Sequence, residues 1–189
     1  MTAYKSIVIS SGHGLKIRGA AGNPSGSPSD PYLDEVDEAR KVVNALAETL
    51  EERGVDVVVF HDDTSTNQDT NLKTIVSAHN KHDRQLDISC HFNAYEQGSK
   101  CMGTEVLYVS QGPLADELSA AIAEAGGFND RGGKHNSGLY FLNSVANCFS
   151  TCAACVPAAA FTYNCEYAIQ SFHTFIIKSF CKCVCEMVV

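Results

Sequence analysis

The chain of 189 residues lacks the long apolar segments that cross a lipid bilayer. No stretch approaches the roughly 18 consecutive apolar residues of a membrane-spanning helix. The N-terminus also lacks the basic region and the apolar run of a secretory signal peptide. We therefore expect a protein that is made in the cytoplasm without membrane insertion. If it acts outside the cell, something other than its own signal must release it.

The chain also has fewer basic than acidic residues. The chain has 14 Lys and Arg against 22 Asp and Glu, which gives a formal net charge of −8. This balance argues against non-specific binding to nucleic acid or to anionic membrane surfaces. The hydrophobic fraction of 44% and the charged fraction of 19% are ordinary for a globular protein. The length suits one domain with a full core, spanning residues 1–189.

Cysteine is scarce until late in the chain, since only Cys90 and Cys101 lie among the first 147 residues. A protein made in the cytosol is not expected to hold a disulfide framework. The cysteines at 152–155 and 181–185 match the spacing of zinc sites poorly. We expect Cys90 to be a small buried apolar residue. It is not expected to act with the neighbouring His91, because adjacent strand residues point to opposite faces.

Apolar spacing predicts strands that alternate with helices. Continuous or alternating apolar residues predict strands at 4–10, 55–60, 86–90 and 104–109. Helical spacing predicts helices from Glu35 to Gly54, at 69–82 and at 113–125, with Asp34 as the first N-cap. Residues 19–31, rich in Gly, Pro and Ser, are expected to form a loop. The alternation predicts an α/β domain with a mostly parallel twisted sheet flanked by helices.

Two histidines follow predicted strands. His13 lies in Ser-Ser-Gly-His-Gly at 10–14, and His91 lies in Ser-Cys-His-Phe-Asn-Ala at 89–94. Glu35 lies between them at the start of a helix, where the positive end of the helix dipole suits a carboxylate. Because parallel strands end at one edge of a sheet, the three side chains can converge there. Two imidazoles and a carboxylate with one open position are typical of catalytic zinc.

The remaining histidines are expected at the surface or in loops rather than at a metal. These are His61, His79, His82, His135 and His173. Asp62 and Asp63 are expected to close a turn after the strand at 55–60.

The motifs resemble those of the zinc-dependent N-acetylmuramoyl-L-alanine amidases, the amidase-3 family. Ser-Gly-His-Gly at 11–14 and Asp-Ile-Ser-Cys-His-Phe-Asn-Ala at 87–94 resemble its two histidine motifs. Gly-Thr-Glu-Val-Leu-Tyr at 103–108 is similar to the strand after the second histidine. Asn-Asp-Arg-Gly-Gly-Lys at 129–134 and Leu-Tyr-Phe-Leu-Asn at 139–143 are similar to the Asp-Arg-Gly motif and the following strand of the phage-endolysin branch. The resemblance covers about residues 4–143.

This resemblance implies hydrolysis of the amide between N-acetylmuramic acid and L-alanine in peptidoglycan, with peptidoglycan as the partner. It implies that Zn2+ is held by His13, Glu35 and His91. The candidate substrate-binding residues are Asn93, Arg131 and Lys134. The two cations suit carboxylates of the substrate. A phage endolysin reaches the cell wall once the inner membrane is breached, which agrees with the expected absence of a signal peptide.

One member of the family's pattern is out of place. The family has a second glutamate in a Pro-Ala-(three apolar)-Glu run, where it acts as general base or stabilises the tetrahedral intermediate. The corresponding positions at 152–154 hold Cys, Ala and Ala, and the nearest glutamate is Glu166. Glu166 is therefore the candidate catalytic residue. It can take the place of the family's second glutamate only if the strand that carries it is shifted by many residues relative to the family pattern.

The composition also changes after Asn143. From 144 to 189 the only charged residues are Glu166, Lys178, Lys182 and Glu186. Three explanations stay open: a divergent C-terminus that uses Glu166, an impaired homologue that binds the wall without cleaving it well, or a slipped reading frame near codon 144. A zinc peptidase that cuts the stem peptide is the alternative activity on a similar scaffold.

Overall fold

Strands and helices alternate along the chain. The computed structural model describes residues 4–22, 33–92, 103–127 and 129–145. In chain order the elements are β1 (Ser6–Gly14), β2 (Ala21–Gly22), β3 (Leu33–Asp34), α1 (Glu35–Glu51), β4 (Asp56–Asp62), α2 (Gln68–His79), β5 (Leu86–Cys90), β6 (Thr104–Tyr108), α3 (Gly112–Gly126), β7 (Asp130–His135) and α4 (Tyr140–Ser144).

β1 is the middle strand of a three-stranded parallel sheet with the order β4-β1-β5. The register pairs Val8 with Val58 on β4 and with Asp87 on β5. β6 and β7 form a second parallel pair, whereas the two short strands β2 and β3 pair antiparallel. The predicted α/β class with a mostly parallel sheet is confirmed for the described residues.

Helices cover both faces of the three-stranded sheet. Successive strand residues point to opposite faces, and Ile7 and Ile9 of β1 join the larger apolar core together with residues of α1 and α3. Ser10 points the other way, toward His79 of α2. As a result β5 is buried along its whole length, and β1 along most of it. This burial explains the continuous apolar run at 7–9 of β1, whereas in β5 the apolar residues alternate with Asp87 and Ser89.

The start of α1 is set by Asp34, whose Oδ1 accepts a hydrogen bond from the backbone N–H of Val36 at 2.9 Å. Such a cap satisfies one of the free N–H groups at a helix start. After the helix, Gly54 adopts a left-handed conformation with φ of 80° and leads into β4. The predicted N-cap and the predicted helix start at Glu35 are confirmed.

The strand that the family resemblance implied at 139–143 is not found, because these residues fall largely within the short helix α4 (Tyr140–Ser144). Phe141 and Leu142 are buried there in a second apolar cluster with Ile75 of α2. A short apolar run does not by itself distinguish a strand from a buried helical turn. The strand in this region is β7, which was not predicted because its two glycines and charged residues show no apolar alternation.

The expectation for His79 is also wrong. His79 is the last residue of α2 and is 0% exposed. Its burial is possible because both ring nitrogens have hydrogen-bond partners. His82 and His135 are exposed as expected, whereas His61 is partly buried. The expected turn at Asp62 is confirmed, since its Oδ1 accepts from the backbone N–H groups of Thr64 and Ser65.

Several predictions lie outside the described residues. These are Asn93, His173, Glu166 with the segment from 146 onward, and the part of the predicted loop from 23 to 31. Among the helices that the structure describes, none is both long enough and apolar enough to cross a bilayer.

Two residues that are paired across β1 and β4 provide a test of this packing. Ile9 on β1 is 0% exposed, whereas its partner Val59 on β4 is 36% exposed. We expect Ile9→Ala to lower the free energy of unfolding by about 2–5 kcal/mol, because it leaves a cavity. Val59→Ala should cost much less. Urea unfolding in the presence of a chelator measures both, and equal losses would contradict the difference in burial between the central strand β1 and the edge strand β4.

Candidate metal centre

Three side chains from distant segments meet beyond the ends of β1 and β5. His13 lies near the end of β1, Glu35 begins α1, and His91 directly follows β5. Each offers one ligand atom, and these atoms all lie within 4.8 Å of one another. Nε2 of His13 is 3.3 Å from Oε2 of Glu35, and Nδ1 of His91 is 3.0 Å from Oε1. The structure therefore brings together the three residues that the sequence suggested as metal ligands.

The carboxylate of Glu35 is oriented by two backbone N–H groups. Ala20 donates to Oε2 at 2.7 Å, and Phe92 donates to Oε1 at 3.1 Å. The backbone N–H of Glu35 in turn donates to the carbonyl of Ala20 at 2.8 Å. Each oxygen thus has one backbone donor and one imidazole neighbour, so the carboxylate is held between the two rings in a single orientation.

The site favours the ionised form of Glu35. Burial raises the pKa of this carboxyl, but the hydrogen bonds and charges of His13 and His91 outweigh it and lower the pKa to about 2. Glu35 is only 6% exposed. A buried carboxylate that stays ionised needs a compensating positive partner. Here hydrogen bonds from the two imidazoles stabilise the carboxylate, and a cation at the same place would stabilise it more strongly.

Two glycines allow the ligands to approach this closely. A Cβ added to Gly12 would lie 1.8 Å from the Cε1 atom of His91. A Cβ added to Gly19 would lie 2.2 Å from Oε2 of Glu35, and Gly19 also has a left-handed φ of 74°. Any larger residue at either position would displace a ligand. Gly19 was not singled out from the sequence, where it is one of several glycines in a loop.

An ion pair holds the loop that carries Gly19 and Ala20 against α1. Arg18 Nε donates to Oδ2 of Asp34 at 2.9 Å, and Nη2 lies 2.6 Å from Oδ2 of Asp37. The hydrogen bond to Asp34 is the main reason that the pKa of Arg18 is raised. Asp34 therefore caps α1 with one oxygen and holds Arg18 with the other, directly beside Glu35.

The donor set fits a zinc ion. Two imidazole nitrogens and one carboxylate oxygen are ligands that zinc accepts, and three protein ligands leave a position for substrate or water. Nδ1 of His13 is buried and has no hydrogen-bond partner among the described residues. An imidazole nitrogen without a partner is costly in such surroundings. Among the described residues this is the one His, Cys, Asp and Glu cluster with metal-binding geometry.

The two basic residues that are expected to bind the substrate already have a partner within the protein. Arg131 and Lys134 lie on β7, and both contact Oε2 of Glu105 on β6. The Arg131 contact measures 2.8 Å. They are thus part of a strand and an ion-pair cluster rather than of a solvated loop. This pairing could not be predicted from the sequence, because Glu105 and Arg131 are far apart along the chain.

The thiol of Cys90 plays no part in the chemistry of this site. Its side chain is buried in the larger apolar core. Burial, together with the charge of Glu35, raises the pKa of Cys90 to about 12. The thiol stays protonated near neutral pH and is a poor nucleophile. The prediction of a small buried residue is confirmed.

Comparison with known families decides what kind of protein carries this cluster. The profile of the Amidase_3 family, described as N-acetylmuramoyl-L-alanine amidase, matches residues 7–156. The chain belongs to this amidase family. The match includes all three residues of the cluster and ends before Glu166. It extends beyond residue 143, where the sequence resemblance was expected to stop. No curated protein matches the chain.

Solved amidase structures share the fold. An N-acetylmuramoyl-L-alanine amidase from Clostridium difficile 630 superposes with a TM-score of 0.75 at 21% identity, covering 98% of this chain and 97% of the other. The catalytic domain of the CD27L endolysin, which targets Clostridia difficile, gives 0.67 at 22% identity, with coverage of 97% and 96%. The catalytic domain of CwlV from Bacillus (Paenibacillus) polymyxa gives 0.73 at 18% identity, with coverage of 96% and 97%.

The close approach of the His91 ring to Gly12 can be tested by substitution. We expect Gly12→Ala to weaken zinc binding by about tenfold or more, because the new methyl group displaces the ring of His91. Gly138→Ala is the matched control, since its Cβ would lie 3.4 Å from the nearest heavy atom. Competition with a fluorescent zinc chelator measures both affinities. Wild-type affinity in Gly12→Ala would contradict the placement of His91.

The lowered pKa of Glu35 predicts a pH dependence. An unfolded glutamate titrates near about 4.3, whereas the folded pKa is about 2. Glu35 therefore stabilises the metal-free fold above about pH 4.3, and this contribution is lost as the pH falls toward 2. We expect the difference in unfolding free energy between wild type and Glu35→Gln to shrink over that range. A constant difference in urea unfolding would show that the carboxylate is not held in this way.

Proposed function

We propose that this protein hydrolyses the amide between N-acetylmuramic acid and L-alanine in peptidoglycan and that it depends on Zn2+. The observation that carries the proposal is the cluster of His13, Glu35 and His91, whose ligand atoms lie within 4.8 Å of one another. Family membership supports an amide bond of peptidoglycan as the substrate. We also propose that residues 1–189 act as one catalytic domain.

The three ligands would hold the ion, and the surrounding backbone would keep them in place. A zinc ion bound in this way supplies a Lewis acid for a carbonyl oxygen and lowers the pKa of a water toward about 7. Glu35 cannot rotate away without losing the N–H groups of Ala20 and Phe92. The carboxylate remains ionised near neutral pH, since its pKa is about 2. The carboxylate of Glu35 is therefore both oriented and charged for cation binding in the metal-free protein.

Substrate carboxylates are the proposed partners of Arg131 and Lys134. Two cations share one carboxylate, that of Glu105, so the three side chains together carry one positive charge. That remaining charge would favour an anionic group such as a carboxylate of the stem peptide. Asn93, which follows Phe92, is proposed as a further substrate contact.

Glu166 is proposed as the residue that moves the proton during hydrolysis. It is the glutamate nearest to the positions where the family pattern has its second glutamate. A carboxylate in that role accepts a proton from the attacking water and passes it to the leaving amine. We further propose that the protein acts on the cell wall as a phage-type lysis enzyme, in keeping with the similarity of its fold to an endolysin catalytic domain.

A second candidate is a homologue that binds the wall but cleaves it poorly. Cys152, Ala153 and Ala154 support it, because none of them can act as the carboxylate base of the family pattern. The two candidates share the zinc site and differ only in turnover. A peptidase that cuts the stem peptide shares both the site and the turnover but yields different products.

Product analysis separates the candidates. Purified peptidoglycan treated with the zinc-loaded protein should gain free N-terminal L-alanine without new reducing sugars, and a chelator should abolish the gain. His91→Ala should be inactive as well. New N-termini of other residues would identify a stem peptidase, and binding without new amines would identify the impaired homologue.

The role of Glu166 is tested against Glu186, the other glutamate in the segment from 144 to 189. We expect Glu166→Gln to slow amine release by about 100-fold or more, as for loss of a general base. Glu186→Gln should retain the wild-type rate. Equal rates in the two variants would remove Glu166 from the mechanism and leave the zinc site untouched.

A further inference from the structure

A fully buried polar network joins α2 to the two strands that lead to the candidate metal centre. His79 at the end of α2 donates from Nδ1 to Oδ1 of Asp87 on β5, at 2.7 Å. Its Nε2 lies 3.0 Å from the hydroxyl oxygen of Ser10 on β1. All three side chains are 0% exposed. The network therefore joins one helix to two neighbouring strands of the sheet.

The protonation of the network follows from its partners. Asp87 also accepts from Nε of Arg84 at 2.8 Å, so a buried cation already balances its charge. A neutral His79 that donates from Nδ1 must accept at Nε2, and the hydroxyl of Ser10 is the donor there. Burial is the main reason that the pKa of His79 is lowered, which keeps the ring neutral.

The network cannot be a second catalytic centre. Serine, histidine and aspartate in this order of contacts perform acyl transfer in hydrolases. A nucleophile must reach its substrate, however, and the side chain of Ser10 is 0% exposed. Any effect of the network on function must therefore come from how it positions the strands that carry Ser10 and Asp87.

Those strands carry the metal ligands. Ser10 precedes His13 by three residues on β1, and Asp87 on β5 precedes His91, which directly follows that strand, by four residues. The strand register pairs Ser10 with Ser89 and Ser11 with Cys90. A shift of this register by two residues, which keeps each side chain on its own face, would move one imidazole by about 6–7 Å relative to the other. The distances at Glu35 leave no room for such a shift.

Apolar burial alone does not exclude such a shift of two residues. A strand that is buried on one face is held in register by its alternating pattern. The apolar residues of β5 alternate with Asp87 and Ser89 and face the larger core, so this pattern excludes a shift by one residue but not a shift by two. Buried hydrogen bonds, in contrast, are satisfied in one arrangement only, and leaving them unmade is costly.

We propose that Ser10, His79 and Asp87 are positioning residues that set the register of β1 against β5 and thereby the spacing of His13 and His91 for metal binding. The proposal rests on the proposed zinc site. It assigns the three residues a role beyond stability, because their loss should change the metal site itself.

The test compares variants of buried residues inside and outside the network. Ser10→Ala removes one hydroxyl, and His79→Leu removes both hydrogen bonds. Ile75→Ala is the matched control, since Ile75 is a buried residue of α2 that belongs to a separate apolar cluster. For each variant of the full chain, urea unfolding gives stability, chelator competition gives zinc affinity, and the visible absorption of the Co2+ form reports ligand geometry.

We expect both network variants to bind zinc about 10–100-fold more weakly and to show a changed Co2+ spectrum. Ile75→Ala should lose stability but keep the wild-type affinity and spectrum. Ser10→Ala keeps the test decisive if His79→Leu does not fold. Wild-type zinc binding and spectrum in a folded Ser10→Ala would overturn the positioning role alone. Failure of the wild-type chain to bind zinc would instead overturn the proposed function, and the positioning role with it.

Discussion

The parallel pairing of β1 with β5 is the constraint on which the candidate metal centre depends. The ladder runs from Ile7 opposite Leu86 to Ser11 opposite Cys90, and the two histidines follow within two residues of its end. Neither strand could deliver its imidazole to this place without the other. The start of α1 completes the arrangement, since Glu35 is bonded through its backbone to the loop after β1 and through its carboxylate to the residue after His91.

The parts of this arrangement that could be predicted have local signals. β1 and β5 are predicted from their apolar residues, each has a histidine at or just after its end, and Asp34 before an apolar periodicity marks a helix start. These signals suffice to place His13, Glu35 and His91 at one edge of a parallel sheet. The three residues do meet there in the structure, with Glu35 between the two rings.

The parts that could not be predicted depend on contacts between distant segments. The N–H groups that orient Glu35 belong to Ala20 and Phe92, and a backbone donor leaves no mark on residue type. His79 resembles any histidine at a helix end until Ser10 and Asp87 are seen beside it. β7 lacks apolar alternation because it is partly exposed, so its sequence resembles a loop.

The three converging ligands also bear on folding. They join residues 13, 35 and 91, so a cation bound by all three would act as a non-covalent cross-link across most of the described chain. An ion that binds only the folded state adds its binding free energy to that state, by mass action. The metal would then be a folding cofactor as well as a catalytic one. In a host that restricts free zinc, the lifetime of the folded protein would depend on metal supply.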